Sequence, residues 1–191
     1  MEKTVEFIIP TYYRPRELKS MLASLCAQHS DNWLATVVID GYDWAEDVEL
    51  LVGSFWEKRI RCINLEKRFN DWGHTPRQIG KNQSRGDYTI MTGDDNYYMP
   101  TLVTSITPLM EAGIDFIYWD MIHSHYGYTL FKTSPYMNQI DMGAFAFKTE
   151  MGKQIDLTTA YAADGIFVND FHVKFPEAKY QKIDRVLFVH N

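Results

Sequence analysis

Short apolar runs alternate with amphipathic helical stretches through the first half of the chain, and no other feature limits the fold as strongly. Residues 5–10 read as a strand buried on both faces and closed by Pro10. Pro15 opens a helix with Leu18, Met21, Leu22 and Leu25 on one face. Residues 33–39 give a second strand that ends in an acidic turn, Asp40-Gly41-Tyr42-Asp43. A helix through Val48, Leu51, Val52 and Phe55 then leads to a third strand at 60–65. This β-α-β-α-β order predicts an α/β fold with a mostly parallel sheet and right-handed crossovers.

The rhythm continues into the stretch that carries the chemistry. Thr75 is predicted to cap a helix with Pro76 in its first turn, and residues 88–92 form a strand that Gly93 stops. Asp94, Asp95 and Asn96 follow at the strand's carboxyl end, the side of an open α/β sheet where ligands bind. Pro100 is predicted in the first turn of the next helix, which runs through Leu102, Ile106, Leu109 and Met110. Adjacent carboxylates repel unless they are solvated or share a cation, and hard divalent ions take such oxygen ligands. Later elements are less regular: strands at 116–119, 128–131 and 143–147, a helix at 161–172 and a strand-like run at 185–190. The 191 residues are expected to form one domain, with the alternation belonging to the first 120 residues and the last 70 forming a less regular half.

A net charge of −6 leaves no basic footprint for nucleic acid or an anionic membrane. No apolar run is long enough to span a bilayer and no leader-like segment opens the chain, so the expected location is the cytoplasm. Cys26 and Cys62 are expected to be small buried apolar residues rather than a disulfide. No phosphate-binding Gly-rich loop, Gly-x-Ser-x-Gly elbow, Cys-x-x-Cys pair or dinucleotide turn is present. His123 and His125 would share one face of a strand, which raises a metal-dependent hydrolase, but no third ligand sits at motif spacing. A non-catalytic carbohydrate-binding module is the other alternative, with Tyr97, Tyr98, Tyr126, Tyr128 and Tyr136 available to stack on sugar rings.

The opening Ile8-Ile9-Pro10-Thr11-Tyr12-Tyr13-Arg14 resembles that of inverting glycosyltransferases of the family 2 type, whose fold is called GT-A. The resemblance continues in order through Val38-Ile39-Asp40-Gly41, Arg77-Gln78-Ile79-Gly80, Gly93-Asp94-Asp95-Asn96 and Pro100. Gly93 stands where the family's Asp-x-Asp motif has its first Asp, so Asp95 matches the metal-bearing carboxylate. The resemblance implies a single-domain GT-A fold and inverting transfer from a nucleotide-diphosphate-sugar, most simply a UDP-sugar, to a glycan or glycoconjugate hydroxyl. Its implied cofactor is Mn²⁺ or Mg²⁺ on Asp95 and His190. Pro10, Thr11 and Tyr13 would line the base and ribose pocket, Asp40 would accept a hydrogen bond from the nucleobase, Arg77 would hold the phosphates, and Asp94 is a further implied substrate-binding residue. Asp164, in Ala162-Ala163-Asp164-Gly165, falls at the Asp of the family's late Glu-Asp pair and is the implied general base, with Gly165 leaving room for the acceptor. Asp170 is its competitor.

Overall fold

The computed structural model describes residues 2–191. In chain order its elements are β1 (Val5–Thr11), α1 (Pro15–Cys26), β2 (Trp33–Ile39), α2 (Ala45–Gly53), β3 (Ile60–Asn64), α3 (His74–Asn82), β4 (Tyr88–Met91) and β5 (Tyr97–Tyr98). The second half adds α4 (Leu102–Glu111), β6 (Phe116–His123), β7 (Thr129–Phe131), β8 (Phe145–Lys148), α5 (Thr149–Gly152), α6 (Ala163–Lys174) and β9 (Tyr180–His190). The nine strands pair into one sheet of order β3-β2-β1-β4-β8-β6-β9-β5, with β7 beside β6. The run β3-β2-β1-β4 is parallel throughout, as the alternation of strands and helices requires. Beyond β4 the sheet is mixed: β8 is antiparallel to β4 and β6, while β9 runs parallel to β6.

Every residue of β1 is buried, and β2 is buried at all positions but Leu34, so both read as apolar runs rather than alternating ones. The helix faces match their periodicity, with Leu18, Met21, Leu22 and Leu25 buried under α1. Parallel pairing sets the carboxyl ends of β1, β2 and β4 along one edge. The Asp40 N–H donates to Thr11 O at 2.8 Å, and the Thr92 N–H donates to Ile8 O at 3.0 Å. The acidic loops therefore emerge side by side.

Three local expectations are corrected. Thr75 does not cap α3: the helix starts two residues earlier than expected, at His74 behind Gly73, whose φ of 81° is a left-handed conformation, and the Thr75 hydroxyl bonds Asp71 instead. Pro100 lies before the Thr101 cap of α4 rather than in its first turn, because β5 interposes between the acidic loop and the helix. Cys26 is exposed at the end of α1, and both cysteines are free.

The fold also buries two charges that join its parts. Lys81 on α3 is fully buried and donates to the carbonyls of Gly152 (3.0 Å) and Ile155, and burial lowers its pKa to about 8. Glu6 on β1 is also fully buried. It accepts from Thr36 Oγ1 at 2.5 Å, Ser84 Oγ at 3.1 Å, the Gly86 N–H at 3.0 Å and the Arg85 N–H. Burial works against its charge, yet the Thr36, Arg85 and Gly86 bonds and Arg61 together hold its pKa below the usual carboxylate value. A depressed carboxylate contributes stability above its unfolded pKa and loses it as pH falls through the folded value. Glu6→Ala strands several buried donors and should cost about 3–5 kcal/mol, whereas Glu6→Gln should cost less. Urea unfolding at pH 7 and pH 4 checks both, and the gap between wild type and Glu6→Gln should narrow at the lower pH.

Candidate active site

A cleft of about 460 Å³ opens at the carboxyl edge of the parallel strands. Its floor is the acidic loop after β4. Asp94 is buried, accepting from Thr11 Oγ1 at 2.7 Å and from Arg14 Nη2. Asp95 is more open and accepts from Arg14 Nη1 at 2.7 Å. Burial raises the Asp94 pKa despite Arg14 and Thr11. Arg14 is half exposed and bridges both carboxylates. A Cβ on Gly93 would stand 2.8 Å from Asp95 Oδ1 and 3.1 Å from Asn96 Nδ2. Both are the ends of flexible side chains, so a larger residue there would be met by rotation of Asp95 and Asn96 rather than by the backbone.

The cleft wall is built by β2 and the loop before α3. Asp40 accepts the Phe69 N–H at 2.8 Å and the Asn70 N–H at 3.2 Å, so each of its oxygens already holds this loop against the sheet. Pro10 packs beside Gly73, where a Cβ would come within 2.9 Å of its ring. Tyr13, expected to line the nucleoside pocket, is turned away: it stacks on Trp44 at 3.6 Å and lines a separate crevice with Pro15 and Leu18. Its neighbour Tyr12 takes the cleft position, with the Arg68 guanidinium 3.6 Å from its ring centre. Arg77 reaches from α3 under the acidic loop, donating through Nε to Thr92 O at 2.9 Å and through Nη1 to Trp72 O at 2.8 Å. Burial opposes its charge, while Asp141, Asp94, Asp95 and Asp71 favour it.

A second cleft of about 350 Å³ lies on the β6 side, and Asp141, His125 and His190 line both clefts. His190 ends β9 with Nδ1 3.0 Å from Ser124 Oγ and Nε2 3.8 Å from Asp141 Oδ2. His123, Asp141 and His190 each offer a ligand atom within 4.8 Å of the others, a group that does not include Asp95. His125 lies in the turn after β6 rather than on the strand, so the two histidines of His-x-His do not act as a strand pair. Asp141 escaped the sequence reading because it belongs to no motif, and only its place two residues before Gly143, whose N–H it caps, marks it.

Asp164 sits in the first turn of α6 and lines the second cleft. Burial, then the nearby Asp141 charge, pushes its pKa up to about 6. Asp170 is not among the residues lining either cleft. The expectation that Gly165 leaves room for an acceptor is corrected: its open side is filled by Met137, whose Cα would be 2.8 Å from an added Cβ.

Comparison with known proteins bears on what these clefts do. A family model described as glycosyl transferase family 2 matches residues 6–172. A protein of Haemophilus influenzae, named an uncharacterized glycosyltransferase, is 27% identical over 116 residues, which are 60% of this chain and 37% of that protein. Among solved structures, S. aureus TarS 1-349 superposes with a TM-score of 0.81 at 16% identity, covering 98% of this chain and 60% of that one. The mannosyltransferase PcManGT from Pyrobaculum calidifontis, in complex with GDP-Man and Mn²⁺, gives 0.76 at 14% identity over 100% of this chain and 57% of that one. The chain thus spans little more than a third to three fifths of these relatives. With the sheet order, the cleft at the strand ends and a family match over most of its length, the chain has a GT-A fold and belongs to glycosyl transferase family 2.

Proposed function

We propose that this domain transfers a sugar from a nucleotide-diphosphate-sugar to an acceptor hydroxyl with inversion of configuration. The observation that carries the reading is the pair of clefts meeting at Asp141 and His190, one with arginines and carboxylates at its floor, the other holding Asp164. A UDP-sugar is the favoured donor, since S. aureus TarS 1-349 is known in complex with UDP-GlcNAc. Pro10, Thr11, Tyr12 and the loop that Asp40 holds would frame the nucleoside, and Arg77 would face the diphosphate. Asp164 would take the proton from the acceptor oxygen as that oxygen attacks the anomeric carbon. The bond to the nucleoside diphosphate breaks on the opposite face, and the leaving group carries away the electron pair.

Asp95 and His190 would hold a divalent cation in the donor cleft, which both residues line. Asp95 is the more open of the two loop carboxylates and is held by a half-exposed arginine, and His190 presents Nε2 without a hydrogen-bond partner at bonding distance. When bound, such an ion would neutralise the diphosphate and stabilise it as a leaving group. Calorimetry of UDP-sugar binding should show Mn²⁺-dependent affinity that falls at least tenfold in Asp95→Asn, with a smaller loss in Asp94→Asn. Undiminished Mn²⁺ dependence in Asp95→Asn would remove that residue from the site.

The base assignment generates a paired prediction. With a pKa of about 6, Asp164 is ionised at pH 7.5, and the transfer rate should drop about tenfold per unit below pH 6. Its folded pKa is raised, so its stabilising contribution belongs to low pH and is lost as pH rises through about 6. Asp164→Asn should therefore melt no lower than wild type at pH 8 while losing roughly 10²-fold or more in transfer and keeping donor binding. Asp170→Asn should transfer normally. The opposite result, with donor bound but not transferred by Asp170→Asn, would move the base to that residue. Release of free sugar without any acceptor requirement would instead favour the hydrolase reading.

A further inference from the structure

Where β6 and β9 end side by side, His123 pairs with His190, and their rings stack at 4.2 Å between centres and 17° between planes. Asp141 joins them from the turn before β8, bringing three ligand atoms within 4.8 Å of one another. All three side chains are already oriented by other groups, His123 through the His125 N–H, which donates to its Nδ1 at 3.2 Å. Ser124 Oγ engages His190 Nδ1 at 3.0 Å, which leaves Nε2 facing Asp141 Oδ2 at 3.8 Å. The Gly143 N–H donates to the other Asp141 oxygen at 2.8 Å. A gap of 3.8 Å is too long for a hydrogen bond. It is close to the roughly 3.4 Å that separates two ligands each about 2.1 Å from a tetrahedral ion.

We propose that His123, Asp141 and His190 form a two-histidine, one-carboxylate site that binds a transition-metal ion in the absence of any sugar nucleotide and discriminates against Mg²⁺. Imidazole suits Zn²⁺, Co²⁺ and Ni²⁺, whereas Mg²⁺ demands a near-octahedral oxygen shell that two imidazoles do not provide. Three protein ligands leave at least one coordination position for water. Ser124 supplies the outer-shell bond that fixes the His190 ring, an arrangement typical of ligating histidines. This site is separate from the arrangement proposed around Asp95, whose carboxylate pairs with Arg14 and lies outside the group. His190 is common to both. An ion seated with His123 and Asp141 therefore withdraws His190 from the diphosphate side, and Zn²⁺ should oppose donor binding that Mn²⁺ supports.

The test uses the whole chain without nucleotide, so its outcome does not depend on the transferase reading. Co²⁺ titration should produce visible absorption bands that saturate at a single equivalent, and calorimetry should give Zn²⁺ at least about 100-fold tighter binding than Mg²⁺. His123→Ala and Asp141→Asn should lose the Co²⁺ bands, and Ser124→Ala should weaken binding about 10–100-fold. Asp95→Asn should bind Zn²⁺ as wild type does. Should His123→Ala melt below wild type, His123→Gln repeats the measurement with a smaller change of shape. Mg²⁺ binding as tightly as Zn²⁺, or Zn²⁺ binding lost in Asp95→Asn but kept in the folded His123 variants, would overturn the proposal.

Discussion

The guanidinium of Arg14 holds together two neighbouring carboxylates that would otherwise drive the acidic loop apart. Two like charges about 4 Å apart repel by about 4 kcal/mol at an effective dielectric constant near 20, and more as the site dries. Asp94 is almost wholly buried, and its raised pKa shows that desolvation outweighs the help from Arg14 and Thr11. The bridge also joins the end of β1 to the end of β4, so the geometry of the cleft floor and its charge balance are one problem. A half-exposed arginine meets both demands at once, balancing the charge of the pair while one side of it stays open to solvent.

The regular half of the fold was legible because each strand and helix carries its own pattern. Val5–Thr11 and Trp33–Ile39 are apolar runs of a length that suits only buried parallel strands, and their limits in the structure match the sequence reading within a residue. Errors fell where the backbone departs from pattern. Gly73 begins α3 through a left-handed conformation, which displaced the cap expected at Thr75, and two-residue β5 is too short to show any periodicity. Tyr12 and Tyr13 are indistinguishable by composition. Which of them faces the cleft depends on Trp44 offering Tyr13 a stacking partner, a contact that no local pattern encodes.

Site residues divided in the same way. Asp40, Arg77, Asp94 and Asp95 sit at strand ends or on the helix after a strand, where motif spacing fixes them, and all four line one cleft. Asp164 lies in the other, which meets the first at Asp141. Asp141 had no sequence signature because its importance comes from what β6 and β9 bring beside it. Asp40 turned out to spend both carboxylate oxygens on the backbone of residues 69 and 70. A residue read as a base contact thus also builds the wall against which a base would lie.

The position of His190 depends on an irregularity in the sheet. Phe116 pairs with Tyr180, and that register carried forward would set Leu187 opposite His123. Shifts at Trp119/Asp120 and Asp120/Met121 insert extra residues into β9, and His190 arrives opposite His123 instead. The displacement is three residues, and a shift of one or two would have left Phe188 or Val189 in that place. Asp120 stabilises the irregular stretch by pairing with Lys182 at 2.7 Å and accepting the Thr133 N–H at 2.9 Å. Asp184 and Arg185 fall in the bulged segment, where they can remain exposed without breaking the pairing on either side. The bulge beside Met121, at the edge of the second cleft, therefore decides whether the junction between the clefts holds an imidazole or a leucine.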